Sequence, residues 1–317
     1  MPENLGYQEV QIKSWEDYQQ LVDSETYSGW GFRGHSDATW PLFSSLSRYL
    51  RENRVHLDAW KNQEARILRL FKAKAHLYLD HVPADDDAYQ WLGLMQHHGA
   101  PTRLLDITWS PYVALFFALE RATKPAAVWA FFEPKISDCE SVVIRGGVQI
   151  NPSRFSLWRR KVYEEHYLSG RQVFATISRP KIMNRRLIAQ SGSFIVPSVL
   201  NEPIEDILRD YESSSSCLRK LVIDTQLVRK TAMKRLYAMN ITNASLFPDL
   251  DGLAKSLAYE LEYHWGFDTE NMTPNQGFPQ PSDLRSWMTK PLSIYPMVSD
   301  DSHLSEPMSL DENPGNQ

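Results

Sequence analysis

The stretch "QHHGAPTRLLDITWSPYVALFFAL" (residues 96–119) contains a polar cluster, a short apolar strand and the start of a helix in direct succession. Ser110 is placed to cap that helix and Pro111 to occupy its first turn, and the residues that follow are apolar on every side. A helix that is apolar all round is a buried helix. The stretch therefore predicts a strand followed by a central helix, around which the rest of the domain packs.

Six further stretches have the composition of strands, because they are rich in β-branched and aromatic residues and are bounded by Pro, Gly or Ser. They are "GWGFRG", "AAVWAFF", "VVIRGGVQI", "QVFATIS", "GSFIVPSV" and "LRKLVID". Helical spacing of apolar residues predicts helices after Ser14 and at residues 57–78, 87–97, 225–239 and 249–264. The fold class that we expect is α+β, with a split, mostly antiparallel sheet and flanking helices.

The composition changes near residue 268, beyond which Pro, Asn, Ser and Asp are concentrated and apolar residues are few. Such a segment does not bury enough apolar surface to offset the entropy cost of ordering. We expect one domain over residues 1–268, with its main motifs at 30–262, and a flexible, acidic, Pro-rich tail at 269–317.

The whole chain of 317 residues is 42% hydrophobic and has a net charge of −5, which is typical of a globular protein without general affinity for nucleic acid or acidic membranes. A local basic groove is compatible with that balance. No apolar run of membrane-spanning length and no signal peptide is present, so we expect a cytoplasmic protein with no membrane partner. Cys139 and Cys217 are too few for a disulfide framework and form no CxxC motif.

The polar cluster in the opening stretch lies next to a buried strand, and such side chains need hydrogen-bonding partners. Its members are Gln96, His97, His98, Thr102, Arg103 and Asp106. Two interpretations stay open, a network that ties a loop to the sheet and a binding site. We expect no metal, because adjacent helical residues point about 100° apart and no further ligand lies at suitable spacing.

Arg33 poses a related question, since a charged guanidinium at a buried strand needs an anionic or carbonyl partner. Glu64, which falls on the apolar face of a predicted helix, and a ligand phosphate are both candidates. Glu64 itself needs a counter-ion, either Arg33 or Arg103. Gly34, directly after Arg33, lets another group approach the backbone closely.

A third polar group lies in "NRRLIAQSGSFIV", where Gln190 and Gly192 precede a predicted strand. A glycine at this position indicates either a close approach to a ligand or a β-bulge, and both readings stay open. We expect "GFRG", "QHHGAPTRLLD" and "AQSG" to converge on one polar pocket. The motifs of P-loop, Rossmann, α/β-hydrolase and zincin enzymes are missing from the sequence.

The order of these motifs resembles the FRG domain family, which is named for the tripeptide seen here as Phe32, Arg33 and Gly34. "QHHGAPTRLLDIT" followed by "SPYVALFFA", then "NRRLIAQSGSF" and "SLFPDLDGLA" resemble its other blocks in order. His98 stands where Tyr is usual, and Ile107 where Trp is usual. The family has no settled catalytic residues, so this resemblance implies a fold and assigns no reaction.

A more distant resemblance is to ADP-ribosyltransferases, especially the DNA-modifying kind of bacterial toxin and phage-defence systems. Arg33 resembles their NAD-contacting arginine, and "LLDITWSPYVALFFA" resembles the strand and helix that line the nicotinamide pocket. "AQSGSFIV" resembles the strand that carries a catalytic glutamate, but here Gln190, Ser191 and Gly192 stand in its place. This resemblance implies an ADP-ribosyltransferase-like fold with NAD as cofactor.

The leading hypothesis is therefore a nucleotide- or NAD-using transferase, acting as a toxin or antiphage effector on a nucleic acid or protein acceptor. The candidate catalytic residues are Arg33, Glu64, His97, Arg103, Asp106 and Gln190. The candidate cofactor-binding residues are Phe32, Arg33, Gly34, Gln96, His97, Thr102 and Gly192. The alternatives are a non-catalytic module that binds a nucleotide or a protein, and a nuclease with His97 or His98 as general base.

Overall fold

The computed structural model describes residues 6–24, 27–137, 140–159, 161–211 and 214–263, with the backbone alone for residues 215 and 259–263. The chain divides into a compact unit of residues 1–258 and a second unit of residues 259–317. The tail expected at 269–317 lies outside the described residues. Within those residues, every helix is too short or too polar to cross a membrane.

In the described part of the chain, seven strands form the main sheet and two short strands form a separate hairpin. The main sheet contains β1 (Gln8–Ile12), β2 (Trp30–His35), β3 (Leu105–Thr108), β4 (Ala126–Phe132), β7 (Ala175–Ser178), β8 (Gly192–Pro197) and β9 (Leu218–Ile223). The hairpin pairs β5 (Val142–Ile144) with β6 (Val148–Ile150). The main sheet has the order β1-β9-β4-β2-β3-β8-β7, and only β1 and β9 run parallel. The expected mostly antiparallel sheet with flanking helices is confirmed.

The middle of this sheet has a narrow joint between β2 and β3. These strands pair through Phe32 and Thr108 alone, whereas β2 and β4 pair at every position from Trp30 to His35. The expected split sheet is therefore one continuous sheet that is joined weakly at its centre. Beyond the paired residues the two strands separate, and polar side chains from both strands occupy the space between them.

Twelve helices surround the sheet within the described residues. They are α1 (Trp15–Val22), α2 (Ser45–Glu52), α3 (Trp60–Ala75), α4 (Ala88–His97), α5 (Pro111–Leu119), α6 (Glu133–Ile136), α7 (Arg185–Ala189), α8 (Ile204–Arg209), α9 (Ser214–Cys217), α10 (Thr225–Ala238), α11 (Asn243–Leu246) and α12 (Leu250–Tyr263). The helices predicted at 87–97, 225–239 and 249–264 correspond to α4, α10 and α12. The helix predicted at 57–78 is a short 3-10 turn followed by α3.

Helix α5 is the buried helix that the opening stretch predicts. The Ser110 side chain accepts a hydrogen bond from the Val113 amide at 3.3 Å, and the helix packs directly on β2 at Gly34. A Cβ atom at Gly34 would lie 2.1 Å from the Ala114 carbonyl oxygen and 2.5 Å from the Ala118 amide nitrogen. The group that approaches Gly34 closely is therefore helix α5.

One local prediction is wrong, and two elements were missed. "VVIRGGVQI" is a hairpin and not one strand, because Gly146 and Gly147 take positive φ values of 78° and 73° and reverse the chain. Strand β1 and helix α2 were not predicted. Strand β1 is an edge strand with a largely exposed side-chain pattern, so it lacks the apolar alternation that marks a half-buried strand.

Candidate functional site

Arg33 lies at the joint of the sheet, where its side chain is half-buried. Its Nη1 donates to the Asp106 carbonyl oxygen at 2.6 Å, and its Nε donates to Nε2 of His35 at 3.2 Å. Among the described residues, none accepts a hydrogen bond from Nη2, and no carboxylate oxygen lies within 4.0 Å of this guanidinium. Burial lowers the pKa of Arg33 to about 10, so the group stays charged at neutral pH.

His35 holds this guanidinium without neutralising its charge. Burial, and then the charge of Arg33, lowers the pKa of His35 to about 3. The imidazole is therefore neutral at physiological pH, and the lone pair on Nε2 accepts the hydrogen bond from Arg33. The positive charge of Arg33 thus lacks a paired carboxylate from the described part of the chain.

Asp106 places a carboxylate on β3, next to Arg33. Its Oδ2 accepts a hydrogen bond from Gln96 Nε2 at 2.7 Å, and Gln96 Oε1 accepts one from the Thr102 hydroxyl at 2.6 Å. The Thr102 hydroxyl in turn accepts a hydrogen bond from the Leu104 amide at 3.1 Å. This chain of hydrogen bonds fixes the Asp106 carboxylate, and its Oδ1 has no hydrogen-bonding partner among the described residues.

Two cavities meet at Arg33, and we call them together the groove. The first has a volume of about 300 Å³, and the second has a volume of about 690 Å³. Arg33, Gly34 and Phe117 line both cavities. The first cavity is also lined by Asp106, Thr108, Gln190, Arg186, Phe247 and Lys255, and the second by His35, Trp40, Phe43, Arg48, Arg51 and Glu52. Arg33 therefore lies at the junction of the groove.

The groove carries more positive than negative side chains, although the whole chain has a net charge of −5. Its cations are Arg33, Arg48, Arg51, Arg121, Arg186 and Lys255, and its carboxylates are Asp106, Glu52 and Glu120. The Arg186 guanidinium lies 4.7 Å from the centre of the Phe247 ring, so a flat apolar surface adjoins this charge. A cleft lined mainly by one sign of charge concentrates ligands of the opposite sign.

Glu64 and Arg103, which the sequence offered as candidate catalytic residues, do not line the groove. Both side chains are fully buried, and Arg103 Nε donates to Glu64 Oε1 at 2.6 Å while Nη2 pairs with Oε2. Arg103 Nη1 donates to the carbonyl oxygens of Pro197 at 2.9 Å and Ser198 at 3.2 Å. The ion pair therefore connects α3 to the backbone at the end of β8. Arg103, and not Arg33, is the counter-ion of Glu64.

Packing accounts for the residue type at three of the candidate cofactor-binding positions. The Phe32 side chain is buried, with its ring centre 6.0 Å from that of Tyr27. Gly34 makes room for α5, as described above. A Cβ atom at Gly192 would lie 2.8 Å from Leu187 Cδ2, so this glycine is explained by α7. Of these three, Phe32 and Gly34 also line the first cavity.

Gln190, which follows α7, lines the first cavity, whereas His97 on α4 does not line the groove. The Gln190 side chain is buried and donates to the Leu246 carbonyl oxygen at 3.1 Å, and the Gln190 main-chain carbonyl oxygen accepts from the Thr108 hydroxyl at 2.6 Å. His97 and Gln190 line a third, very small cavity that shares Asp106 with the first. Burial, then the neighbouring His98, lowers the pKa of His97, so its neutral form is favoured.

His98 is exposed, and its ring centre is 4.8 Å from that of His97 in an edge-on contact. Within the described residues, no group of three or more His, Cys, Asp or Glu side chains is placed to hold a metal ion.

The sequence did not single out most of the positive and aromatic side chains of the groove. Trp40, Arg48 and Arg51 come from the segment around α2, whose exposed basic residues resemble any solvated helix face. Arg186 and Phe247 belong to "NRRLIAQSGSF" and "SLFPDLDGLA", so their motifs were noticed but their roles were not. The sequence does not show which helices line the same cavities as β2.

Comparison with known proteins gives one family match. Residues 28–127 match the family model described as the FRG domain, and this span contains β2, α2, α3, α4, β3 and α5. Searches of curated proteins and of solved structures find no match.

Proposed function

We propose that this chain, which contains an FRG domain at residues 28–127, binds NAD in the groove and transfers its ADP-ribosyl group to an acceptor. The observation that carries the proposal is the Arg33 guanidinium, which lies at the junction of two cavities with no carboxylate partner among the described residues. An arginine fork binds two oxygens of one phosphate group at once, which a lysine does not.

The two-part shape of the groove fits a dinucleotide. In a dinucleotide, the pyrophosphate lies between two nucleoside halves. Arg33 likewise lies between the cavities of about 300 and 690 Å³. Ligand sites in proteins typically enclose roughly 300–1,000 Å³. Phe247 in the first cavity and Trp40 in the second each offer an aromatic ring against which a planar base can stack.

Asp106 is the residue that we assign to the chemical step. NAD supplies a glycosidic bond whose cleavage releases nicotinamide and develops positive charge on the ribose. The Asp106 carboxylate, oriented by Gln96, stabilises that charge from a fixed position. Gln190 does not take this role, because it is neutral and its amide group is bound to the Leu246 carbonyl.

His97 is the group that we assign to the acceptor. Its lowered pKa keeps the imidazole neutral, so it accepts the proton that an attacking hydroxyl or amine loses. The small cavity that it lines shares Asp106 with the first cavity, which supports a role for this base beside the proposed ribose site. A role as a toxin or antiphage effector on a nucleic acid or protein rests on the resemblance to ADP-ribosyltransferases alone.

A non-catalytic nucleotide-binding module is the second candidate. It is favoured by Gln190, which stands where the strand of the resembling transferases carries a glutamate. Such a module uses the same groove and the same Arg33 but needs no carboxylate at Asp106.

Nicotinamide release from NAD, followed by chromatography, separates the two candidates. We expect Asp106→Asn to bind NAD in calorimetry but to release nicotinamide about 100-fold more slowly than the wild type. Asp58→Asn, at an exposed position outside the groove, is the matched control. Binding without release in the wild type would favour the module, and no binding at all would contradict both candidates.

A further inference from the structure

The second cavity of the groove contains more positive charge than the pyrophosphate of one dinucleotide requires. Arg33, Arg48 and Arg51 line it, with Glu52 as its single carboxylate. None of the three arginines forms an ion pair with a described residue. Arg48 lies close enough to Arg33 for its charge to contribute to the lowered pKa of Arg33. Like charges gathered in a cavity without partners are stabilised by an anion.

Arg48 and Arg51 are held in place by Phe43. They lie three residues apart on α2 and so share one face of that helix. Arg48 Nη1 donates to the Phe43 carbonyl oxygen at 2.6 Å, and the Arg51 guanidinium lies 4.4 Å from the centre of the Phe43 ring. These contacts occupy one donor of Arg48 and one flat face of Arg51. Their other donors make no hydrogen bond to a described residue.

Trp40 provides a stacking surface in the same cavity. Its side chain is 52% exposed, and its ring meets the edge of His35 with a centroid distance of 6.2 Å. An exposed indole beside arginines is a common platform for a nucleobase. This places the adenosine half of the dinucleotide in the second cavity, with its base on Trp40 and its ribose near Arg48 and Arg51.

We propose that Arg48 and Arg51 form a subsite for a phosphomonoester on the adenosine ribose, so that the protein prefers a 2′-phosphorylated dinucleotide such as NADP over NAD. This inference rests on the proposed function, because it assumes that the pyrophosphate lies at Arg33. A phosphomonoester carries about −1.5 to −2 charges at neutral pH and three acceptor oxygens. Two guanidinium groups on one helix face match both the charge and the acceptors.

The test is calorimetric titration of the full chain with NAD and with NADP. We expect NADP to bind about tenfold more tightly than NAD to the wild type. Arg48→Gln and Arg51→Gln are each expected to weaken NADP binding by a larger factor than NAD binding, so that most of the preference is lost. Arg69→Gln, an exposed arginine on α3 outside the groove, is the matched control and keeps the preference.

Two results overturn the subsite. One is equal affinity of the wild type for NAD and NADP, and the other is an equal loss of affinity for both ligands in Arg48→Gln and Arg51→Gln. In both cases NAD still binds the wild type, so the proposed function stands without the subsite. If neither ligand binds the wild type, the proposed function and the subsite fail together.

Discussion

Arg33 and Arg103 are two arginines of one domain that have opposite surroundings. The Arg103 side chain is 0% exposed and is paired with Glu64, and it also donates to backbone carbonyl oxygens. Its guanidinium lies 5.2 Å from the centre of the Tyr167 ring. Arg33 is half-buried, has one carbonyl and one neutral imidazole as partners, and lines two cavities.

The difference separates an arginine whose partners all come from the chain from one whose set of partners is incomplete among the described residues. Burial of a charge costs several kcal/mol unless partners compensate for it, and Arg103 receives those partners from the chain itself. Arg33 receives fewer such partners from the described chain. The remaining hydrogen bonds of its guanidinium are therefore made with solvent or with a ligand.

The largest effect is expected at the buried ion pair. Glu64→Gln leaves the Arg103 charge buried without a carboxylate, so the free energy of unfolding should fall by about 3–5 kcal/mol. Denaturant unfolding measures this loss. Glu16→Gln, at an exposed position on α1, is the control and should change stability by less than about 0.5 kcal/mol.

A double variant shows whether the unpaired charge of Arg103 causes the loss of stability. Replacing the pair by Glu64→Leu with Arg103→Met removes both charges and should recover much of the lost stability. If Glu64→Gln alone costs less than about 1 kcal/mol, the pair does not hold the fold in the way described.

The next effect is expected at Gly34, the neighbour of Arg33. Gly34→Ala forces a methyl group against the Ala114 carbonyl oxygen and should destabilise the domain by about 1–3 kcal/mol through overpacking. Gly93→Ala, on α4 with open space around its Cβ position, is the matched control and should not destabilise. Thermal unfolding distinguishes them. Equal melting temperatures would show that α5 does not require a glycine at this position.

A smaller effect is expected from His35, the neutral partner of Arg33. Burial lowers its folded pKa from 6.5 to about 3, so between these values the unfolded chain binds the proton more readily. The contribution of His35 to the free energy of unfolding should therefore fall below pH 6.5, by up to about 1.4 kcal/mol per pH unit, and be constant above it. Denaturant unfolding from about pH 4 to about pH 7 should show a shallower slope for His35→Gln. Parallel slopes for the two proteins would contradict a buried, neutral His35.

Local patterns in the sequence were sufficient for several elements and for part of the site. Ser110 and Pro111 predicted the start of α5, and Asp87 predicted that of α4. The need of buried polar groups for partners predicted that Arg33, Asp106 and Gln190 would meet, and all three line the first cavity. These inferences depend on short-range rules that the surrounding fold did not override.

Other features depend on long-range packing that the sequence does not encode locally. The counter-ion of Glu64 was open between Arg33 and Arg103, and only the tertiary contact between Arg103 and Glu64 on α3 decides it. Arg48 and Arg51 become part of the groove because residues of α2 and β2 line the same cavity, which no spacing in the segment indicates. The narrow joint between β2 and β3 is a property of strand pairing across the whole sheet.

Calorimetric titration of NAD into the wild type and Arg33→Lys tests the central claim most directly. Lysine keeps the charge but loses the planar fork, so we expect the variant to fold and to bind NAD about tenfold more weakly. Lys13→Gln, an exposed position before α1 and outside the groove, controls for unrelated surface charge. Measurable binding of NAD by the wild type with this loss in Arg33→Lys supports a ligand-binding arginine. Equal affinity in both proteins, or no binding by the wild type, would make Arg33 an internal structural residue like Arg103.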